Sequence, residues 1–297
     1  MTAVSAMTPL SLYSRTAESA AARVIRGYST SFGLAAALLP PDERVGIRSV
    51  YALVRVADEL VDGTAEEAGL DPSARRAALD ALEAEVLSAR RSGYSADLIV
   101  HAFVTTARSA GIEDSLVEAF FRSMRRDLEP VRSLSEEQYR SYVHGSAEVV
   151  GLMCLRVFLR GHRAAEVEQE PLEAGAARLG AAFQKINFLR DLGEDAQLLG
   201  RAYFPGTEPG ELGEARKSEI LADIDADLVA ARRAIAMLPR GSRRATALAA
   251  GLFEELAVRL RRTSAAELQR RRVSVPRRAK ARIVLGALVD GAVGGAR

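Results

Sequence analysis

Two short acidic stripes carry the chemistry this sequence can do. In the segment VGIRSVYALVRVADELVD, Val45 to Asp62, the residues Tyr51, Arg55, Asp58 and Asp62 recur at helical spacing. At about 100° per residue they fall within roughly 60° of arc. The rest of the circumference holds Val45, Ile47, Val50, Leu53, Val54, Val56, Leu60 and Val61. A helix that apolar is ordinarily buried. Buried charge is costly unless it meets a counter-charge, a metal or water. Taken alone, this helix also fits a ladder of Arg55, Asp58 and Asp62 on a solvated face.

A second stripe shifts the balance. In LGAAFQKINFLRDLGED, residues 179–195, Gln184, Asn187, Asp191 and Asp195 fall within roughly 80° of arc, amid Leu179, Phe183, Ile186, Phe188 and Leu189. Asp195 follows Gly193, so its helical placement is the least secure of the four. One carboxamide and two carboxylates make an oxygen-only donor set. Mg²⁺ favours such a set, completed by phosphate oxygens and water, and Mn²⁺ can substitute. Spacing alone is weak evidence, since chance supplies about 0.6 D-x-x-x-D pairs in a chain of this composition. A third pair, Asp223 and Asp227 in EILADIDADLVAARR, reads as a plain solvated acidic helix.

Two acidic stripes that hold Mg²⁺ form a clamp for a strongly anionic group. A diphosphate suits it, both as substrate and as leaving group, with Arg55 and Arg190 as fork donors. Small residues (Ala35 to Ala37, Ala176, Ala177, Gly180 to Ala182) leave room for a long hydrocarbon. The expected chemistry is ionisation of an allylic diphosphate inside an apolar cavity.

The elements that must position these residues are helices. The apolar periodicity is helical nearly throughout, with segments at roughly 45–62, 72–93, 95–110, 114–127, 135–160, 171–192, 216–238, 243–269 and 277–290. The Gly- and Pro-rich stretch 193–214 is the longest loop. No alternating strand pattern and no linker divides the chain. The expected fold is a single all-α domain over 1–297, a helical bundle around a central cavity, with 1–15 disordered and 291–297 a flexible tail.

Composition excludes several classes. One cysteine, Cys154, forbids an internal disulfide and any multi-Cys zinc site. Three scattered histidines argue against a His-rich metal centre. A net charge of +2 is too small for global nucleic-acid binding. No signal peptide is evident, and no run of about 18 apolar residues predicts a membrane span. The expected location is the cytoplasm. Residues 259–282 hold nine Arg and one Lys against a single acid, Glu267. That stretch is either an Arg-biased solvated face or a peripheral contact with anionic headgroups on the inner face of the cell membrane.

Longer motifs surround both stripes. The first is Tyr51-Ala-Leu-Val-Arg55-Val-Ala-Asp58-Glu-Leu-Val-Asp62. The second is Gln184-Lys-Ile-Asn187-Phe-Leu-Arg190-Asp191-Leu-Gly-Glu-Asp195, followed by Gly200-Arg201-Ala-Tyr203-Phe-Pro205. With Tyr28-Ser29-Thr30-Ser31-Phe32 and Tyr142-Val-His144-Gly-Ser-Ala-Glu-Val-Val-Gly151-Leu-Met153, the chain resembles the squalene and phytoene synthases over about 28–280, the bacterial phytoene synthases most of all. The resemblance implies an isoprenoid-synthase fold and head-to-head condensation of two prenyl diphosphates, most simply two geranylgeranyl diphosphates to phytoene, without NADPH. It implies metal-side roles for Asp58, Asp62, Asn187, Asp191 and Asp195. It implies contacts to diphosphate or prenyl groups for Tyr28, Ser29, Thr30, Ser31, Tyr51, Arg55, Gln184 and Arg190, and closure of the site by Tyr203. The alternatives are a squalene, dehydrosqualene or hydroxysqualene synthase using farnesyl diphosphate, and a non-enzymatic scaffold of the same fold. Three positions depart from the family pattern: Phe253 where a Tyr is common, and His144 with Ser146 in place of aromatics.

Overall fold

The computed structural model describes residues 8–129, 134–162, 168–194, 203–208 and 211–293. These form fourteen α-helices and one π-helical turn, and no strand occurs among them. Helix α1 (Pro9–Tyr28) opens with Thr8 accepting from the Ser11 amide and Pro9 in its first turn. Residues 9–15, expected to be disordered, are therefore helical. Ser29 ends α1 and caps α2 (Thr30–Ala37), its hydroxyl accepting from the Phe32 amide. Pro41 starts α3 (Pro41–Val61), for which Asp62 is the C-cap. A short α4 (Thr64–Glu67) leads to α5 (Pro72–Ser92), then α6 (Leu98–Ala110) and α7 (Asp114–Asp127).

The predicted helix over 135–160 is not uniform. It comprises α8 (Glu136–Val143), the π turn His144–Glu148 and α9 (Val149–Leu159). Two hydroxyls, Ser146 Oγ at 2.8 Å and Ser123 Oγ at 3.1 Å, donate to the Tyr142 carbonyl and satisfy it where the helix widens. By length and composition Glu136–Leu159 is apolar enough to cross a membrane, contrary to the sequence expectation. In the fold it is a central helix that buries Val149, Met153, Leu155 and Val157 and packs on α3, α6, α7 and α10.

Helix α10 (Gln169–Glu194) carries the second stripe and lies between α9 and α11 (Glu214–Met237). Glycines let it approach both. A Cβ on Gly180 would lie 2.4 Å from the Ala147 carbonyl oxygen, and one on Gly151 would lie 2.3 Å from that of Ala176. A Cβ on Gly175 would lie 2.0 Å from the Ala234 methyl on α11. The small residues of α10 therefore serve close helix packing, and Gly175, Ala176 and Gly180 also line the cavity described below. The predicted helix over 243–269 is interrupted. α12 (Arg240–Arg262) stops where Lys217 Nζ takes the Thr263 carbonyl at 2.6 Å, and Ser264 caps the short α13 (Ala265–Leu268). The last helix, α14 (Arg277–Val293), covers 291–293 of the expected tail.

The third Asp pair also needs correction. Asp223 is exposed, but Asp227 on α11 is 1% exposed. Its two oxygens meet Lys185 Nζ at 2.7 Å and Arg178 Nη1 at 2.9 Å, two turns apart on the back of α10. The helix is acidic because it clamps a neighbour, not because it is solvated. Asp227→Asn should cost about 3–5 kcal/mol, since it leaves buried Lys185 without its innermost counter-charge. Asp223→Asn should cost under about 1 kcal/mol. Chemical denaturation of the two variants separates them, and equal losses would refute this clamp.

Candidate active site

A cavity of about 750 Å³ runs through the bundle, within the range of ligand pockets. It is lined by the α1–α2 joint, by α3, by α9 with its preceding π turn, by α10, α11 and α12, and by the segment 272–275. Tyr51, Arg55, Asp58 and Asp62 from α3 line it together with Gln184, Asn187, Arg190 and Asp191 from α10. Tyr28, Ser29, Thr30, Ser31 and Tyr203 line it too. The two stripes thus share one cavity. Asp195 and Arg201 lie outside the described residues.

The polar end is a concentration of carboxylates. Burial pushes the Asp58 carboxyl up to about 8, helped by the charges of Asp62 and Asp127 and opposed by Arg55. Arg55 forms an ion pair with Glu59, and its guanidinium carbon sits 4.4 Å from the Tyr28 ring centroid. Asp191 is bracketed by guanidiniums. Arg190 Nε reaches Oδ1 at 2.8 Å and Nη2 reaches Oδ2 at 2.5 Å, while Arg272 Nε meets Oδ1 at 2.8 Å. Asn187 Oδ1 is buried with no hydrogen-bond partner among the described residues. An unpaired buried acceptor is costly unless something else satisfies it.

Aromatic rings line the wall beside and below this end. Tyr203 stacks on Phe188 at 4.1 Å and on Tyr142 at 5.6 Å. Phe253 stacks on Phe183 at 3.8 Å, and Phe32 lies 5.5 Å from Phe253 and 6.1 Å from Tyr51. Position 253 therefore contributes a ring face and no hydroxyl. His144 turns outward, is not part of the cavity wall, and pairs with Glu148 at 2.9 Å.

A family profile described as squalene/phytoene synthase matches residues 25–279. The chain belongs to the squalene/phytoene synthase family. Members of this family are prenyltransferases. The 15-cis-phytoene synthase of Paracoccus sp. (strain N81106 / MBIC 01143) is 30% identical over 268 residues, covering 85% of this chain and 84% of that protein. Phytoene synthase 3, chloroplastic, of Zea mays is 34% identical over 188 residues, covering 62% of this chain and 42% of the maize protein. The match thus spans less than half the length of the maize and Oncidium relatives. Among solved structures, a dehydrosqualene synthase in complex with ligand superposes with a TM-score of 0.78 at 22% identity, covering 95% of this chain and 99% of that one. Squalene synthase HpnC from Alicyclobacillus acidocaldarius gives 0.71 at 22% identity, covering 84% and 95%. At that identity the likeness concerns the fold.

In this member of the squalene/phytoene synthase family the cavity includes polar residues that the stripe argument missed. Asp127, at the end of α7, is 6% exposed and accepts from the Tyr142 hydroxyl at 2.7 Å. Arg272 comes from the segment between α13 and α14, and Lys280 from α14 donates to Thr30 Oγ1 at 2.9 Å. Lys280 carried a signal. It is one of only three lysines among 41 basic residues, and the other two, Lys185 and Lys217, are both buried and paired.

Proposed function

We propose that the protein is a phytoene synthase that joins two geranylgeranyl diphosphates head to head. The observation that carries this reading is the cavity itself. Its polar end collects the oxygens of Asp58, Asp62, Asn187 and Asp191 together with Arg55, Arg190, Arg272 and Lys280, and much of the rest of its wall is apolar. The donors fit Mg²⁺, and the unpartnered Asn187 Oδ1 is an acceptor that a hard cation would satisfy. No group of three or more His, Cys, Asp or Glu side chains among the described residues forms a metal site by itself, so diphosphate oxygens and water would complete the coordination. Bound Mg²⁺ would neutralise charge on the departing diphosphate.

The protein's own residues do the rest. Arg55, Arg190, Arg272 and Lys280 hold the diphosphates by charge and forked hydrogen bonds. Loss of the first diphosphate leaves an allylic cation beside Phe32, Tyr51, Phe183 and Phe253, whose ring faces stabilise positive charge. The double bond of the second substrate attacks, and proton loss closes a cyclopropylcarbinyl diphosphate. Loss of the second diphosphate, rearrangement and a final proton loss give phytoene without a reductant. Tyr142, whose hydroxyl is bonded to Asp127, stands at the polar end to steer protons.

The wall of the cavity is more than long enough for a farnesyl group and close to the length of a geranylgeranyl group. From Gln184 down to Leu172, both on its wall, α10 descends about 18 Å at about 1.5 Å per residue. An extended chain advances about 1.3 Å per C–C bond of about 1.5 Å. The sixteen-carbon backbone of a geranylgeranyl group then needs about 19 Å and the twelve-carbon backbone of a farnesyl group about 14 Å.

The same reading keeps the protein in the cytoplasm with the 259–282 face toward anionic lipid. That face is smaller than its composition suggests. Among the described residues, Arg259, Arg261, Arg271, Arg272 and Arg282 are paired with acids, whereas Arg262, Arg270, Arg277 and Arg278 show no such pair there. Incubating the protein with Mg²⁺ and each labelled prenyl diphosphate, with and without NADPH, tests the function. The expected result is phytoene from geranylgeranyl diphosphate, two diphosphates released per product, and no effect of NADPH. NADPH oxidation coupled to a C30 product would favour a squalene synthase instead, and no product from any substrate would refute the enzyme.

A further inference from the structure

We infer that Phe158 is the floor of the cavity and sets the longest prenyl chain it accepts, an inference that rests on the prenyl diphosphate reading above. Three helices run the length of the cavity from its polar to its apolar end: α3 from Asp58 to Ile47, α10 from Gln184 to Leu172, and α9 from its π turn to Phe158. Phe158 is the last wall residue of α9, one position before the helix ends at Leu159.

Its ring packs against two separate clusters. One contains Ile25, Leu39 and Ala245, from α1, the end of α2 and α12. The other contains Leu172, Ile235 and Leu238, from α10 and α11. A side chain that touches both walls closes the space between them. Leu155, one turn before it, also lines the cavity but is 1% exposed, whereas Phe158 at the end of the helix is only partly buried. Near this end the chain is also tightly packed: Gly241 lies so close to Pro40 that a Cβ there would approach its ring carbon to 2.6 Å. Several neighbours at this end are small, including Ala36, Ala234 and Ala245. Trimming the ring should therefore deepen the cavity.

The test is binding of unreactive thiolodiphosphate analogues with C15, C20 and C25 chains to the wild type, Phe158→Trp and Phe158→Ala, with Mg²⁺ present. Phe158→Trp should weaken the C20 analogue about tenfold or more while C15 stays within about threefold. Phe158→Ala should tighten the C25 analogue about tenfold or more relative to wild type. Phe158→Leu, a milder change if the alanine variant folds poorly, should shift C25 in the same direction by less. Melting curves confirm which variants are folded. C15, C20 and C25 affinities in unchanged ratio across the folded variants would overturn the assignment, whatever the turnover. A wild type that binds the analogues yet makes no product would overturn the condensation and leave the floor to be judged by those ratios. A wild type that binds none of them would overturn both.

Discussion

Asp191→Asn and Asp58→Asn are each expected to lower kcat by at least about a hundredfold, the scale of losing one charge-stabilising group at a reacting centre. Asp223→Asn, on the exposed side of α11, should leave kcat within about threefold. The same Asp58 substitution should stabilise the protein in the absence of metal, and the effect has a definite sign in pH. Asp58 holds its proton to about pH 8 in the fold, because burial and the Asp62 and Asp127 charges oppose ionisation. In the unfolded chain an aspartate loses it near about 3.9. Between those values the folded state binds the extra proton, so stability falls as pH rises from about 4 to about 8 and is level above that. Each pH step of one across that window removes up to about 1.4 kcal/mol. Asn cannot ionise, so the melting temperature of Asp58→Asn should exceed that of the wild type at pH 8–9 and converge with it near pH 4. A variant that melts below the wild type at pH 9 would contradict the crowded-carboxylate picture.

Gly180→Phe is expected to abolish folding. Its Cβ alone would lie 2.4 Å from the Ala147 carbonyl oxygen and 2.9 Å from the carbonyl carbon. Overpacking a side-chain contact costs about 1–3 kcal/mol, but here the opposing atoms are backbone and cannot rotate away. α10 would have to leave α9, and the Gly151–Ala176 contact would open with it. Soluble yield and far-UV circular dichroism check the result, with Gly180→Ala as a graded version that should still lower the melting temperature. A folded Gly180→Phe enzyme that makes shorter products would restore these small residues to a role in substrate depth and weaken the case for Phe158.

The stripes were legible because they break a rule within one segment. Asp58 and Asp191 interrupt helices otherwise apolar around most of their circumference, and period alone brings Asp62 and Asn187 to the same face. What could not be read depends on partners distant in sequence. Asp127 closes α7 in MRRDLEP and resembles an ordinary terminal acid, until Tyr142 and Asp58 surround it. Asp227 looks solvated until Lys185 and Arg178, more than forty residues away, claim both its oxygens. The glycines of α10 are ambiguous in one dimension, since a missing side chain can admit a ligand or a neighbouring backbone. In the fold Gly180 does both, meeting the α9 side closely and lining the cavity. Breaks within helical periodicity were equally hidden, as at Ser29 and Thr263, where a local cap or a buried lysine takes the carbonyl or amide that a continued helix would have used.

The most direct test of the shared clamp is a crystal soaked with Mn²⁺ and the C20 thiolodiphosphate, read by anomalous scattering. The account predicts Mn²⁺ peaks at the polar end, within about 2.0–2.3 Å of oxygens from both stripes, Asp58 or Asp62 on α3 and Asn187 or Asp191 on α10. The diphosphate should lie between them and the prenyl chain should point toward Phe158. Mn²⁺ and diphosphate bound away from these two helices, or on one of them with the other uninvolved, would contradict it.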